Sequence, residues 1–231
     1  MSVSSRLGTT ALLSLFFTLI IIASPVATAA VVTTVQAQSQ SSSDVAASDL
    51  PGNGSSEPYE ISNASELQAM EDNLSANYEL VSDIDASNTS GFNNGSGFAP
   101  VGEATSLNSQ FNGSFDGNNH TITGLTIDRP NESNVGLFGA SEGRVTDVTL
   151  ANVTVTGKDV VGGLVGRNFG NITNASASGS VTGENDVGGL VGLNEDGNIT
   201  TATATGSVTG DNSVGGLVGE NNGGTIRNAT A

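Results

Sequence analysis

Along the second half of the chain, small or apolar residues alternate with hydroxyl residues. Between Ala175 and Val181 every second side chain is small or apolar, and Ser occupies the positions between them. An apolar period of two is typical of a strand that buries one face and exposes the other. Because no stretch of residues 131–231 carries a helical apolar stripe, we predict strands throughout this region.

This pattern repeats about every 27 residues. The leucines of four G-L-hydrophobic-G segments are 27, 26 and 27 residues apart, and Val145, Ile172, Ile199 and Ile226 follow one another at intervals of 27. Two landmarks in register, together with Thr-Gly pairs that end at residues 157, 183 and 210, identify an array of repeats. The recurring positions are Gly136, Leu137, Gly139, Gly163, Leu164, Gly166, Asn168, Gly189, Leu190, Gly192, Asn194, Gly216, Leu217, Gly219 and Asn221.

The spacing separates three repeat architectures. A leucine-rich repeat needs Leu at L-x-x-L-x-L spacing, whereas the corresponding residues here are Ile172, Ala175 and Ala177. Propeller blades are longer, at about 40 residues or more. We therefore predict an all-β fold, a parallel β-helix (β-solenoid) with about 27 residues per coil.

The core of this solenoid is expected to narrow along the chain. The first coil directs Val148 and Leu150 inward, together with Val153 and Val155, whereas the next coil has Ala at the places of Val148 and Leu150. Later coils should therefore be thinner. We also expect the Gly pair before each later Leu to form a tight bend at positive φ, a conformation that glycine adopts readily.

The recurrent asparagines allow two interpretations. Asn168, Asn194 and Asn221 each lie two residues after a repeated glycine. Stacked along the coil axis, their amides would form a hydrogen-bonded ladder. A row of ligand-binding amides is the alternative, and the ladder is the interpretation that we favour.

Residues 58–130 are expected to form a cap and the first coils. Asn63 and Glu66 have capping-box spacing, and an apolar stripe over about three helical turns follows them. Such a helix would cover the open end of the core, although a separate subdomain is also compatible with the pattern. The stripe consists of Leu67, Met70 and Leu74. Strands are predicted at residues 59–61, 78–84 and 121–127.

The N-terminal 37 residues have the organisation of an export signal. Arg6 precedes an apolar run at residues 11–23, and small residues up to Ala29 and Ala37 provide two possible cleavage sites. We favour cleavage after general secretion, with an uncleaved membrane anchor at residues 11–35 as the alternative. The Ser-rich residues 38–57 lack periodicity and are predicted to form a flexible linker.

Charge narrows the classes of function. Beyond the signal, 23 acidic side chains face five basic ones, a formal net charge of −18. Nucleic-acid binding is excluded, because it requires a basic face, and the absence of Cys excludes disulfides and Cys-ligated metals. A carboxylate-rich surface with a single Lys indicates adaptation to molar salt; an ordinary acidic secreted protein is the alternative.

Candidate catalytic and metal-binding residues are few. Asp116 and His120 could form an acid–base pair, but Asp116-Gly117 is also a turn signal and no nucleophile motif accompanies the pair. Two acidic groups approach a calcium-loop pattern without its full spacing. These groups are Asp83, Asp85 and Asn88, and Glu195, Asp196 and Asn198. We predict no catalytic residue, no metal ligand and no cofactor, with calcium as a weaker alternative.

Sequons for N-linked glycans, N-x-S/T, are abundant. Asn and Thr are common in turns, so chance explains many of them, yet an exported protein could be glycosylated at a few. Their asparagines are Asn53, Asn63, Asn73, Asn88, Asn94, Asn112, Asn119, Asn131, Asn152, Asn171, Asn174, Asn198 and Asn228.

The repeated segments, with V-G-G-L-V-G-x-N as their fullest form, resemble the GLUG repeat family of microbial surface proteins. Residues 111–125 (FNGSFDGNNHTITGL) are similar to the segment that introduces such arrays. The resemblance covers about residues 59–231. It implies a β-helical, secreted or surface-attached protein, as in adhesin-like chains and the non-catalytic parts of some bacterial immunoglobulin-A peptidases, with no enzymatic residue in the repeat.

Two departures from the family pattern accompany this resemblance. The first unit has a single Gly before Leu137 and lacks the following Asn, as expected of a terminal coil, and the last unit is expected to be incomplete at Ala231. The acidic composition points to a halophilic archaeon as the source.

We predict a secreted or envelope-associated structural or adhesive module that makes weak, multivalent contacts with envelope proteins or glycans. Membrane contact is expected only through an uncleaved N-terminal segment. A polysaccharide-active β-helix enzyme is the alternative, although it would need clustered Asp, Lys or Arg on one strip, where this chain has Arg167, Leu193 and Glu220. A further alternative is a fragment of a larger surface protein whose active part is missing.

Overall fold

A computed structural model describes residues 45–104 and 109–231 of the chain. The export signal, its cleavage sites at Ala29 and Ala37, and the first residues of the predicted linker lie outside these ranges. The described residues form one α-helix, α1 (Ala64–Gln68), and short 3₁₀ segments at Ala47–Asp49, Ala69–Asp72, Ser87–Gly91 and Asn93–Gly95. Their strands are β1 (Tyr59–Ile61), β2 (Asn77–Leu80), β3 (Ile84–Asp85), β4 (Ser114–Asp116), β5 (Thr121–Thr123), β6 (Thr126–Asp128), β7 (Phe138–Ser141), β8 (Arg144–Thr156), β9 (Asp159–Gly162), β10 (Val165–Asn168), β11 (Asn171–Thr182), β12 (Asn185–Gly188), β13 (Val191–Glu195), β14 (Asn198–Thr209), β15 (Asn212–Gly215), β16 (Val218–Asn222) and β17 (Thr225–Thr230).

Three parallel sheets form the walls of the coils. The long sheet runs in the order β1-β2-β4-β8-β11-β14-β17, with β5 and β6 also paired to β8 and β3 paired to β5. The second sheet is β7-β10-β13-β16, and the third sheet is β9-β12-β15. A coil therefore consists of one long strand, one strand of the third sheet and one strand of the second sheet, as in β11, β12 and β13.

The register of the long sheet reproduces the period of the sequence. Ile172 lies opposite Val145 on one side and opposite Ile199 on the other, and Ile199 lies opposite Ile226. Most residues of β11 and β14 thus pair with their equivalents one coil away, in parallel, and the register between β8 and β11 shifts once, between Ala177 and Gly179. The predicted parallel β-solenoid with coils of about 27 residues is confirmed.

The first coils have a wide core that aromatic rings fill. Tyr78, Phe111, Phe115 and Phe138 are all buried. The ring centroids of Phe111 and Phe138 are 4.8 Å apart, and those of Phe115 and Phe138 are 5.5 Å apart with the rings edge to face. Such tilted pairs stabilise a core by more than the burial of their area alone.

The later coils have a narrow core, as predicted. Ala175 lies opposite Val148, and Ala177 lies opposite Leu150. Each exchange of Leu for Ala lowers the stabilisation available from burying apolar surface by roughly 2 kcal/mol. The opposite walls approach instead, because a Cβ built on Gly163 would lie 3.4 Å from the Cβ of Ala177.

The glycine pairs before each Leu have a different role from the predicted one. Gly188 and Gly189 do not adopt a positive φ; that conformation falls earlier in the coil, at Asp186, whose φ is 51°. A Cβ on Gly188 would overlap the carbonyl oxygen of Val191, and a Cβ on Gly189 would overlap that of Gly216. Glycine is required here for close backbone approach rather than for left-handed geometry.

The predicted cap is present, with a shorter α-helix than expected. Asn63 caps α1, since its Oδ1 accepts hydrogen bonds from the backbone N–H of Ser65 and of Glu66, both at 3.0 Å. The Glu66 carboxylate accepts from the backbone N–H of Ser62 at 2.7 Å, one residue before the predicted partner. After Gln68 the chain continues as a 3₁₀ segment, so Leu74 lies beyond the helix.

Two predicted strands are each interrupted. Residues 78–84 divide into β2 and β3, and residues 121–127 divide into β5 and β6. In the first case the Asp83 carboxylate accepts the backbone N–H of Thr121 at 2.9 Å, where a strand would have offered a carbonyl. In the second case Gly124 adopts a φ of 76°, which breaks the extended conformation.

The linker prediction is wrong for residues 45–57. Leu50 is buried in the core cluster, and Asn53 and Gly54 donate backbone hydrogen bonds to the carbonyl oxygen of Glu57, each at 2.9 Å. The Asp72 carboxylate accepts from the backbone N–H of Ala47 at 3.2 Å. The polar composition of this segment gave no sign that it is ordered. Its order comes from the burial of Ala47 and Leu50 and from turn hydrogen bonds, neither of which produces a periodic sequence pattern.

Candidate functional site on the long-sheet face

The second halves of the long strands carry hydroxyl residues in register on their outer side. In β11, Ser180 and Thr182 are exposed while Val181 between them is buried, so the alternation directs both hydroxyls to solvent. The same positions recur in the neighbouring coils. We call them the hydroxyl columns: Thr154–Ser180–Ser207, Thr156–Thr182–Thr209 and Ser178–Thr205.

The hydroxyl columns offer unused hydrogen-bonding groups. Throughout residues 45–104 and 109–231, the hydroxyls of Ser180, Thr182, Ser207 and Thr209 have no protein partner. Ser178, by contrast, donates to the carbonyl oxygen of Leu150 at 3.4 Å. Hydroxyls in one strand stand about 6.7 Å apart and those of adjacent coils about 4.8 Å apart, so they form a flat polar lattice.

The first halves of the long strands are kinked at one position in every coil. Asp147, Asn174, Thr201 and Asn228 all adopt a positive φ, between 51° and 54°. Asp and Asn tolerate this conformation, whereas the β-branched Thr201 is strained in it. We call this region the kinked half. A shallow groove of about 160 Å³ follows it, lined by hydroxyl, amide and carboxylate groups that include Thr149.

The predicted amide ladder runs along the inner side of the second sheet. The Nδ2 group of Asn168 donates to Oδ1 of Asn194 at 2.7 Å, and Nδ2 of Asn194 donates to Oδ1 of Asn221 at 2.6 Å. Asn168 and Asn194 are fully buried. Asn194 also donates to the carbonyl oxygen of Gly197 at 3.1 Å. Asn168 and Asn194 each use both N–H bonds of the amide within the protein, so these two buried amides leave no donor for a ligand.

The repeated leucines and glycines lie at the bend between the third and second sheets. Leu137, Leu164 and Leu190 are fully buried, and Leu217 is partly buried against the same core. A Cβ on Gly166 would crowd the backbone of Asn134 at 2.6 Å. Backbone atoms leave similarly little room for a side chain at Gly136, Gly139, Gly163, Gly189, Gly192 and Gly219, whereas at Gly216 the nearest atom is the Cβ of Ala231 at 2.8 Å.

Sequence reasoning missed two further ladders. Nδ2 of Asn185 donates to Asp159 at 2.5 Å, and Nδ2 of Asn212 donates to Asn185 at 2.8 Å. Nδ2 of Asn198 donates to Asn171 at 3.1 Å. The signal was available, because these residues keep the same intervals of 26 and 27 as the leucines. The hydrogen bond from Asn185, aided by the nearby Lys158 ammonium, holds the pKa of Asp159 below its ordinary value.

The suspected acid–base pair does not form. His120 Nδ1 lies 3.2 Å from Asp83 Oδ1, while the Asp116 carboxylate accepts the backbone N–H of Asn118 at 2.9 Å. Hydrogen bonds from the Thr121 backbone and from His120 lower the pKa of Asp83. Both members of the observed pair are solvent-accessible, and the contact joins two loops of the first coils.

The acidic groups that approached a calcium pattern do not converge. Asp83 and Asp85 serve as acceptors for the backbone N–H of Thr121 and of Ser87. Glu195 lies 3.5 Å from the Arg167 guanidinium. In the part of the chain that the structure describes, no three His, Asp or Glu side chains group as metal ligands would.

A larger cavity of about 450 Å³ lies beside the cap. Its cation, Arg129, donates to the Glu132 carboxylate at 3.0 Å and to the carbonyl oxygen of Phe98 at 3.2 Å. Burial and the charge of Glu103 raise the pKa of Glu71 on the same wall. Arg129 is already engaged by protein groups, and the arrangement does not recur in other coils. We therefore assign no ligand to this cavity.

The outer positions of the second sheet vary from coil to coil. Arg167 lies opposite Leu193, and Leu193 lies opposite Glu220, as the sequence predicted. A cluster of like catalytic groups is therefore missing from this strip of the described coils. No helix within residues 45–104 or 109–231 has the length and apolar character needed to cross a membrane.

A family model matches part of the repeat array. The model of the GLUG motif matches residues 159–182 and 183–209. Each match runs through one strand of each sheet, β9 to β11 and β12 to β14. The chain therefore carries GLUG repeats, and the resemblance stated from the sequence is confirmed.

Two relatives match about half of this chain. Halomucin of Haloquadratum walsbyi is 44% identical over 133 residues, which are 54% of this chain and 2% of halomucin. A protein of Evansella cellulosilytica described as a Gly-rich membrane protein is 36% identical over 134 residues, which are 54% of this chain and 15% of that protein. The chain thus spans a small share of either relative's length.

A solved structure shares the fold. The crystal structure of a Bacteroides ovatus protein described as an immunoglobulin A1 protease superposes with a TM-score of 0.54 over 77% of this chain and 67% of the other. The two sequences are 20% identical over the match, so the likeness concerns the architecture alone.

Proposed function

We propose that this chain is a surface-associated β-solenoid that makes weak, multivalent contacts through its hydroxyl columns, with glycans as the first class of partner. The observation that carries the proposal is the set of unpaired hydroxyls on Ser180, Thr182, Ser207 and Thr209. Each coil repeats the same donors and acceptors at the same position. A sugar chain lying across the coils would therefore meet an equivalent contact in each one.

The contact with a single coil is expected to be weak. A hydrogen bond between neutral groups contributes about 1 kcal/mol, and exposed hydroxyls must first give up water. Joining several such contacts raises the overall affinity by orders of magnitude without any new interaction, provided that the spacing of the partner matches. A stiff coil held by amide ladders fixes that spacing.

Surface location has its own support. Halomucin and the Gly-rich membrane protein each match about half of this chain, and the N-terminal residues have export-signal character. The formal net charge of −17 keeps such a surface hydrated in concentrated salt. Within the proposal, the chain reaches the surface by the general secretory route and functions at high ionic strength.

A polysaccharide-active enzyme is the second candidate, because the coil offers a long polar face. The variation among Arg167, Leu193 and Glu220 argues against an enzyme, because such an enzyme would need like catalytic groups clustered on one strip. Among the described residues, the exposed His120–Asp83 contact is the candidate acid–base pair that is left. Envelope proteins are the other class of partner for the same hydroxyl columns.

Retention of the exported chain on immobilised polysaccharides in molar KCl tests the proposal. We expect Thr209→Val to weaken retention about fivefold, since one hydrogen bond is lost and the shape is kept. Thr203→Val in the same strand is the matched control, because Thr203 is exposed but lies outside the hydroxyl columns. Equal retention of wild type and Thr209→Val would refute the columns as the contact surface, and release of reducing ends would favour the enzyme.

A further inference from the structure

The asparagines that begin an acceptor motif are all exposed, and the fully buried asparagines of the array lie outside such a motif, although exposed asparagines without the motif also occur, such as Asn118 and Asn212. Thirteen asparagines are followed by Ser or Thr at the second position, and all thirteen are exposed. The fully buried Asn168 and Asn194 are instead followed at that position by Gly170 and Asp196. The tripeptide N-x-S/T is the acceptor for N-linked glycans, which need an accessible amide.

Within the GLUG array these acceptors fall on a single sheet. The strands β8, β11, β14 and β17 of the long sheet contain all of them, and no sequon asparagine lies in the described strands of the second or third sheet. The asparagines concerned are Asn152, Asn171, Asn174, Asn198 and Asn228. Attached sugars would therefore cover one wall of the coil and leave the other two bare.

The strand geometry presents a complete acceptor at Asn171. Asn171 and Thr173 are exposed on the same face, while Ile172 between them is buried in the core. Oδ1 of Asn171 accepts the hydrogen bond from Asn198, and within the described residues its Nδ2 group has no partner. The nitrogen that would carry the sugar is therefore free.

The other acceptors of the array differ in how far their amide nitrogen is engaged. Nδ2 of Asn174 donates to the Asp147 carboxylate at 2.5 Å, and Nδ2 of Asn198 donates to Asn171. Asn228 is exposed, and its side chain makes no hydrogen bond to any described residue. The side chain of Asn152 is also exposed and makes no hydrogen bond to any described residue, but its sequon uses Thr154, which belongs to the hydroxyl columns. Asn171 and Asn228 are thus the acceptors that have a free amide nitrogen and lie outside those columns.

We propose that Asn171 and Asn228 carry covalent N-linked glycans on the kinked half of the long sheet. In the transfer, Nδ2 loses one hydrogen and bonds to C1 of a sugar whose donor is activated by a phosphate group. The C1–O bond of the donor breaks, and the phosphate leaves with the bonding electrons and takes up the proton directly or through solvent. The remaining N–H of the amide stays available for hydrogen bonding.

This modification is compatible with the proposed function but does not depend on it. Asn171 is the first residue of β11, and Asn228 follows Arg227, which lies opposite Thr200 in the first half of β14, whereas the hydroxyl columns lie in the second halves of β11 and β14. Export is required, because the sugar has to be added outside the cytoplasm or during transfer. Loss of polysaccharide binding would therefore leave the glycans in place, and loss of the glycans need not abolish binding.

Peptide mass spectrometry of the chain purified from the cells that naturally produce it tests the proposal. Fragmentation that preserves the sugar bond assigns any added mass to individual asparagines. We expect a common sugar mass on Asn171 and on Asn228, and none on the buried Asn168, which lies three residues before Asn171 and serves as an internal control. Finding both Asn171 and Asn228 unmodified would overturn the proposal.

A matched pair of substitutions links the added mass to the motif. Thr173→Ala removes the hydroxyl that the acceptor needs and should reduce the modification of Asn171 to background while Asn228 keeps its sugar. Thr173→Ser retains a hydroxyl and should restore the modification of Asn171. A sugar that persists on Asn171 in the Thr173→Ala chain would contradict sequon-directed transfer, and the unchanged modification of Asn228 reports that the variant is folded and exported.

Discussion

The wide coils, residues 77–156, and the narrow coils, residues 171–209, share the parallel long sheet but fill their interiors by different means. In the wide coils the rings of Phe111, Phe115 and Phe138 span the space between the sheets. In the narrow coils Ala and Gly bring the backbones of opposite walls together, and polar amides take part in the interior. One repeat geometry therefore accommodates two kinds of core.

The difference shows what each region requires of its residues. A wide coil needs volume, which several combinations of large side chains could provide. A narrow coil has no room for side chains at its glycines, and each of its buried amide groups requires a hydrogen-bond partner. The narrow coils should therefore tolerate fewer substitutions, although each of their side chains buries less area.

The largest effect is expected from emptying a wide coil. Phe138→Ala removes a ring that packs against both Phe111 and Phe115. We expect the free energy of unfolding to fall by about 3–5 kcal/mol, the usual cost of deleting a buried aromatic side chain. Denaturant unfolding followed by circular dichroism provides the measurement.

Phe169→Ala is the control for this comparison, because Phe169 is half-buried in the turn that leads into the narrow coils. Its loss should cost clearly less than the loss of Phe138. Equal losses would mean that aromatic packing does not distinguish the two regions.

The next largest effect is expected from adding volume to a narrow coil. Gly188→Ala would place a Cβ against the carbonyl oxygen of Val191 and 2.7 Å from the nitrogen of Gly219. Overpacking of this kind costs about 1–3 kcal/mol, with the higher value expected where backbone is the obstacle. Gly91→Ala is the matched control, since no atom lies within 4 Å of the added Cβ. A stable Gly188→Ala chain would show that the coils can separate without penalty.

A smaller effect is expected from breaking the buried ladder. Asn194→Leu keeps the approximate volume but leaves the amide of Asn168 without its partner, which should cost about 1–3 kcal/mol. Asn212→Ala removes an exposed member of the outer ladder and should cost less than about 0.5 kcal/mol. Thermal unfolding of the two variants measures the difference, and equal melting temperatures would deny the buried amides a distinct role.

Much of the array was predictable, because the repeat period and the alternation of apolar and polar residues can be read directly from the sequence. The intervals of 27 between Val145, Ile172 and Ile199 give the register directly, and the replacement of Leu150 by Ala177 gives the narrowing. The stacking of Asn168 on Asn194 follows from the same intervals.

Other features depend on contacts that no local pattern records. The true partner of His120 is Asp83, which lies 37 positions away in another loop. The role of Gly188 depends on a carbonyl brought near by the fold, and the order of residues 45–57 depends on the burial of Leu50. The hydroxyl columns could be located from the alternation, but their lack of protein partners could be established only in three dimensions.

The pairing of each strand with its equivalent 26 or 27 positions away has a mechanical consequence. Within the array the strands of a coil pair with those of the immediately neighbouring coils, so a stretching force is expected to unfold the coils one at a time rather than the whole core at once. Each coil that gives way releases roughly 90 Å of chain, since an extended residue spans about 3.4 Å. The array would lengthen in equal steps and dissipate work at each of them, as an extensible tether does.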